Sequence, residues 1–76
     1  MTLANIRLAG RCRVLAAARE NPPLQSRLYA LGLYPGVEVD VLRFAPAGDP
    51  IQIRVGTTLL SIRKQEAAMI DVEELL

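Results

Sequence analysis

Few residues in this chain are equipped for chemistry. Among 76 residues there is no histidine and one cysteine, Cys12, so the commonest general base and metal ligand is missing and a thiol nucleophile would have no imidazole to activate it. Cys12 falls on the apolar face of an alternating segment and reads as a small buried hydrophobe. A ferrous site would want histidine or clustered carboxylates. Carboxylates gather only at Asp71, Glu73 and Glu74, where alternation puts Asp71 and Glu73 on one strand face as a solvated acidic edge. A nucleotide site would need a glycine-rich strand-to-helix loop ending in lysine. Gly32, Gly36 and Gly48 are spaced as turn residues instead, which argues against GTP binding by this chain. The residues therefore assign no catalytic group, no metal ligand and no cofactor site.

The cations are the remaining class. Residues 1 to 36 carry Arg7, Arg11, Arg13, Arg19 and Arg27 against Glu20 alone, a local excess of +4, while residues 37 to 76 carry four bases against seven acids, or −3. That asymmetry permits a basic face; a solvated surface is the plainer reading. Arg43, Arg54 and Arg63 sit at outward positions of strand-like segments. Small barrels that bind single-stranded nucleic acid pair a cationic groove with stacked aromatics. Here the aromatic set is Tyr29, Tyr34 and Phe44 at a pI near 7.9, so nucleic acid is not an expected partner.

These side chains must be placed by short elements. Thr2 to Leu8 reads as one helical turn with Thr2 as cap and Gly10 as stop. From Arg11 to Ala17 the sequence alternates, with Cys12, Val14 and Ala16 inward. Asn21 is a good N-cap and Pro22 suits the first helical position. Leu24, Leu28 and Leu31 recur at i, i+4 and i+7 as an apolar stripe. Gly32 stands where a left-handed residue ends a helix, and Leu33 can fold back onto Leu28.

Tyr34-Pro35-Gly36-Val37 has the pattern of a type II turn. Val37, Val39 and Val41 alternate with Glu38 and Asp40, and Leu42, Arg43 and Phe44 continue the strand through a twist or bulge. Ala45 to Pro50 is a broad turn. Ile51, Ile53 and Val55 make the next strand, Gly56-Thr57 reverses it, and Leu60 and Ile62 point inward on the strand from Thr58 to Arg63. Arg63 to Met69 allows one helical turn, Ile70 and Val72 supply a last strand, and Glu74, Leu75 and Leu76 read as a tail.

Five short strands with one helix after the first match no alternating βαβ pattern. The fold expected is mainly β: a small, five-stranded, antiparallel barrel with one inserted helix and a short helical turn before the last strand. Leu24, Leu28 and Leu31 would cover its open end. Hydrophobic residues make up 51% of the sequence, enough for one core, so residues 1 to 76 read as a single domain. No apolar run approaches the ~20 residues needed to cross a bilayer, and a lone cysteine rules out an internal disulfide. The chain is expected to be cytoplasmic, without direct membrane insertion.

Three runs carry a family resemblance. Leu28-Tyr29-Ala30-Leu31-Gly32-Leu33-Tyr34-Pro35-Gly36-Val37-Glu38-Val39, the corner Ala45-Pro46-Ala47-Gly48-Asp49-Pro50-Ile51, and the closing stretch Leu60-Ser61-Ile62-Arg63-Lys64-Gln65-Glu66-Ala67 together resemble the FeoA family of small cytoplasmic proteins of bacterial ferrous iron transport. The opening Thr2 to Gly10 is similar too, with Leu8-Ala9 where a Lys-Pro pair is common. The resemblance spans nearly the whole chain. It implies an SH3-like barrel that works with FeoB, a membrane permease whose cytoplasmic portion contains a GTP-binding domain. The same barrel resembles the C-terminal domain of iron-dependent metalloregulators, so a free-standing regulatory or peptide-binding module is the alternative; fold alone does not choose.

Within that frame the preferred role is non-enzymatic docking on FeoB. Leu33 and Tyr34, at a rigid Pro-Gly turn, would form a preorganised apolar knob, with Pro35 beside them as a further partner-binding residue. The competing reading consumes Leu33 in packing on Leu28 and lays Tyr34 flat on the barrel. A second role is activation of FeoB's GTP hydrolysis by an inserted guanidinium, for which Arg43, Arg54 and Arg63 are the available residues. A third is weak self-association through exposed strand edges or through Leu15 and the terminal Leu75-Leu76.

Overall fold

In the computed structural model, which describes residues 1–7 and 9–75, the alternating segments become five strands: β1 (Arg11–Ala17), β2 (Glu38–Phe44), β3 (Ile51–Val55), β4 (Thr58–Ile62) and β5 (Ile70–Leu75). Every neighbouring pair is antiparallel, in the spatial order β4-β3-β2-β1-β5. The mainly-β architecture expected from the sequence is therefore the observed one. Helix α1 (Pro22–Ala30) follows β1, and the single turn α2 (Lys64–Ala67) precedes β5.

Alternation puts one row of side chains inside. Cys12 lies opposite Val39, Val14 opposite Val72, Val41 opposite Ile53 and Ile51 opposite Ile62; all eight are buried. Leu3 in the N-terminal 3-10 turn (Leu3–Asn5), Ile6 just after it, and Ala67 and Ile70 close the cluster. Gly10 is required by close approach rather than by a turn, since a Cβ there would stand 2.7 Å from Ile6 Cγ2 and 2.9 Å from the Arg7 carbonyl oxygen.

Helix α1 begins as its cap residues specify: Asn21 Oδ1 accepts the Leu24 N–H at 3.2 Å, with proline in the first turn. Its end is a Schellman motif. Gly32 has φ +96°, its N–H donates to the Tyr29 carbonyl at 3.0 Å, and the Leu33 N–H reaches back to Leu28 at 2.9 Å. The expected apolar stripe is only partly inward. Leu28 is fully buried and Leu24 packs against the core, but Leu31 is 40% exposed, because the helix stops at Ala30 and Leu31 is its C-cap.

Two bulges shape the sheet. The β1–β5 register shifts between Val14 and Ala16, which turns Leu15 outward and leaves Ala16 and Ala17 both buried. The β2–β3 register shifts between Val41 and Arg43, as the Leu42-Arg43-Phe44 sequence suggests. One boundary is corrected: Glu74 and Leu75 are strand, not tail, pairing with Cys12 and Arg11. Leu8, the expected end of the N-terminal turn, and Leu76, the last residue of the tail and of the proposed Leu75-Leu76 contact, lie outside the described residues.

Candidate functional site

Helix α1 hands the chain to β2 through a corner that backbone hydrogen bonds hold rigid. Past Gly32, the Val37 N–H closes the Tyr34-Pro35-Gly36-Val37 turn on the Tyr34 carbonyl at 3.2 Å, with Gly36 at φ +98°. The turn is tied to β1 as well: Gly36 N–H donates to the Val14 carbonyl at 2.8 Å, and Val14 N–H to the Val37 carbonyl at 2.9 Å. A side chain mounted here is preorganised, so little ordering entropy opposes its use as a contact.

The two residues proposed as a knob separate. Leu33 is fully buried in the core cluster; the Schellman bond rotates it inward, so it is removed from the set of surface contacts. Tyr34 stays 49% exposed and packs edge to face on Tyr29, ring centroids 6.4 Å apart, a geometry worth about 0.5–1.5 kcal/mol beyond area burial. Pro35 is exposed at the turn's first corner. Tyr29 and Leu31, each 40% exposed, complete an apolar patch beside a shallow depression of about 440 Å³ lined by Leu31, Tyr34, Val37 and Val55. Sequence reasoning missed both. Their signal is that Tyr29 is off the stripe of Leu24 and Leu28, and that Leu31 touches Gly32, where the helical period ends.

The three outward arginines have different surroundings. Arg54 Nη2 lies 3.0 Å from Asp40 Oδ2, and Arg43 Nε donates to Gln52 Oε1 at 2.6 Å. Arg63 is exposed and, among the described residues, makes no ion pair. Arg54 is one end of a longer chain of charges on the outer face. Asp40 also accepts from Arg11 at 2.9 Å, Arg11 reaches Glu38 at 2.7 Å, Glu38 faces Arg13 at 3.6 Å, and Arg13 bonds Glu73 at 2.8 Å. Arg27 pairs with Glu66 between α1 and α2. Much of the N-terminal cation excess is thus neutralised by acids from the other half of the sequence.

Of the acids at the C-terminal end, Asp71 and Glu73 are exposed on β5 and Glu73 is engaged by Arg13. Among the described residues no group of three or more His, Cys, Asp and Glu side chains is placed to hold a metal ion. Burial pushes the Cys12 thiol up from 9.0 to about 11, helped by the negative charges of Asp40 and Glu74, so it is neutral near pH 7 and a poor nucleophile. What the corner presents is an exposed apolar surface on a hydrogen-bonded turn.

A family model for the FeoA domain matches residues 1–74. This chain belongs to the FeoA family. The solved FeoA protein of Chlorobium tepidum is 41% identical over the whole chain and 71% of its own length, with a TM-score of 0.91. FeoA of Stenotrophomonas maltophilia, solved with zinc and described as a prokaryotic SH3-domain protein and candidate activating factor for ferrous iron transport, is 30% identical over 96% of this chain and 89% of its own, with a TM-score of 0.83. The fold is accordingly SH3-like, as the motifs implied. The manganese regulator SloR shares it at a TM-score of 0.84 and 19% identity, this FeoA-family chain covering 34% of SloR; at that identity the likeness is one of fold alone. No helix among the described residues is long and apolar enough to cross a membrane.

Proposed function

We propose that this FeoA-family chain is a non-catalytic cytoplasmic accessory protein of ferrous iron uptake that docks on the cytoplasmic portion of the FeoB permease and modulates it. The observation that carries the reading is the apolar patch of Tyr34, Tyr29 and Leu31, held on a rigid corner and left exposed. Tyrosines are enriched in protein interfaces because they bury a large ring and keep a polar handle. Family membership supports a part in ferrous iron transport, and the description of the Stenotrophomonas maltophilia protein as a candidate activating factor agrees with a modulating role.

The test is a titration of the isolated FeoB cytoplasmic portion, in its empty, GDP and GTP-analogue states, with the wild-type chain and with Tyr34→Ala. Tyr34→Ala should keep the β-sheet circular dichroism spectrum and weaken binding about fivefold or more, the loss of ~1 kcal/mol or more that marks a useful interface residue. Equal affinity of the two chains in every nucleotide state would overturn the reading. Activation of GTP hydrolysis is a second reading favoured by one observation, the exposed Arg63, which among the described residues makes no ion pair, whereas Arg54 pairs with Asp40 and Arg43 bonds Gln52. Following GTP turnover in the same titration decides it, since an unchanged rate at saturation leaves docking and removes activation.

A further inference from the structure

The sheet has two edge strands, β4 and β5, and among the described residues only β5 is protected. Along β5 the N-terminus adds a bridge from Thr2 to Asp71, the Val72 N–H donates to the Met1 carbonyl at 3.0 Å, and Asp71, Glu73 and Glu74 put carboxylates on the strand. Cover and charge are the usual defences of an edge against pairing. Strand β4 reads Thr58-Leu59-Leu60-Ser61-Ile62, with no charge, no proline and no bulge. Among the described residues its backbone pairs with β3 alone, and Leu59, 69% exposed, is the most exposed large apolar side chain.

The direction of the free backbone groups follows from the hairpin. The two-residue Gly56-Thr57 loop makes Val55–Thr58 the first hydrogen-bonded pair. By alternation Ile53–Leu60 and Ile51–Ile62 are bonded pairs too, and the N–H and C=O groups of Leu59 and Ser61 point away from β3.

We propose that β4 pairs antiparallel with β4 of a second copy about a two-fold axis at Leu60, joining the two sheets into one. In that register Leu59 of each copy stands opposite Ser61 of the other, so the outward N–H and C=O groups meet as bonded pairs. On the inner face Leu60, already packed against the core cluster, meets its counterpart. On the outer face the two Leu59 side chains become diagonal neighbours, within reach of each other. Leu42, 37% exposed, adjoins Leu59 across a shallow depression and lengthens the apolar strip. A slip of one residue would put inner leucines against outer ones.

Self-complementarity selects a second copy over an unrelated strand. Thr58, Leu59, Leu60, Ser61 and Ile62 meet only one another, so no like charges abut, and a two-fold contact requires that match. The same operation on β5 about Val72 would set Asp71 against Glu73 twice. A net charge of +1 gives two copies little cause to repel.

The intact chain should be followed by sedimentation equilibrium from micromolar to millimolar concentration, beside Leu59→Lys. The wild-type mass should climb from 8.3 kDa towards twice that value, while Leu59→Lys, with an unchanged circular dichroism spectrum, stays at monomer mass throughout. Amide exchange on the wild-type chain checks the register without a variant: the Leu59 and Ser61 N–H groups should exchange more slowly as concentration rises, and that of Leu60 should not change. A constant monomer mass, or a dimer undisturbed by Leu59→Lys, would overturn the proposal. So would a monomeric wild type whose binding to the FeoB cytoplasmic portion is weakened by Leu59→Lys, which would give the edge to that partner.

Discussion

Leu33 and Tyr34 are adjacent in sequence and opposite in fate, one fully buried and the other 49% exposed. What separates them is a single bond from the Leu33 N–H to the Leu28 carbonyl, and the sequence foreshadowed it through Gly32, the residue that makes a left-handed helix end inexpensive. The partner of Tyr34 was not legible, because an edge-to-face contact with Tyr29 depends on how the corner is bent and not on spacing. Cys12 was legible as a core residue, and its burial makes a test. The folded thiol holds its proton to about 11, whereas the ordinary value is 9.0. Unfolding between those values releases a proton, so stability is fully present below pH 9.0 and falls as pH rises towards about 11. Urea midpoints of wild type and Cys12→Ala over that interval should fall more steeply for wild type. Parallel slopes would mean that the thiol is not the group responsible.

At the scale of elements, two of the three sequence runs that carry the family resemblance are in contact. Asp49, in the corner between β2 and β3, accepts the backbone N–H of Lys64 on Oδ1 at 2.9 Å, and the Arg63 N–H is taken by Glu66 Oε1 at 3.3 Å. Two backbone donors at the start of α2, those of its N-cap Arg63 and of Lys64, are thus met by one local and one distant carboxylate. Asp49→Ala should lower stability by ~1 kcal/mol, as loss of a helix cap does, and Asp49→Asn should recover most of it; equal thermal midpoints for Asp49→Ala and wild type would show that water replaces the cap. Strands and turns were readable because period-two alternation and Pro-Gly punctuation are local signals. The β5 end was not. Glu73-Glu74 breaks the alternation, and what extends the strand is pairing with Arg11 and Cys12 at the far end of the chain. Leu31 failed for a related reason: the i+7 position of the stripe falls one residue beyond the helix.

For the whole molecule, the outer face of the sheet is organised by charge and not by burial. Arg54, Asp40, Arg11, Glu38, Arg13 and Glu73 alternate in sign across β3, β2, β1 and β5, and the series stops before β4, the strand left apolar and open. Opposite-charge cross-strand pairs favour one register and penalise its neighbours, so the series reinforces the strand order that buries the core on the other face. Asp40 is the member to remove, because it holds both Arg54 and Arg11. Each exposed pair contributes ~0.2–1 kcal/mol, so Asp40→Ala should lose about 1 kcal/mol at low ionic strength. The screening length shrinks from ~10 Å at ~0.1 M salt to ~3 Å at ~1 M, so the difference between Asp40→Ala and wild type should contract as sodium chloride is raised. Urea unfolding of both chains across that salt range measures it. A difference that does not change with salt would mean that Asp40 acts through packing of its half-buried side chain, and the charge series would then be decoration on a register fixed by the apolar face alone.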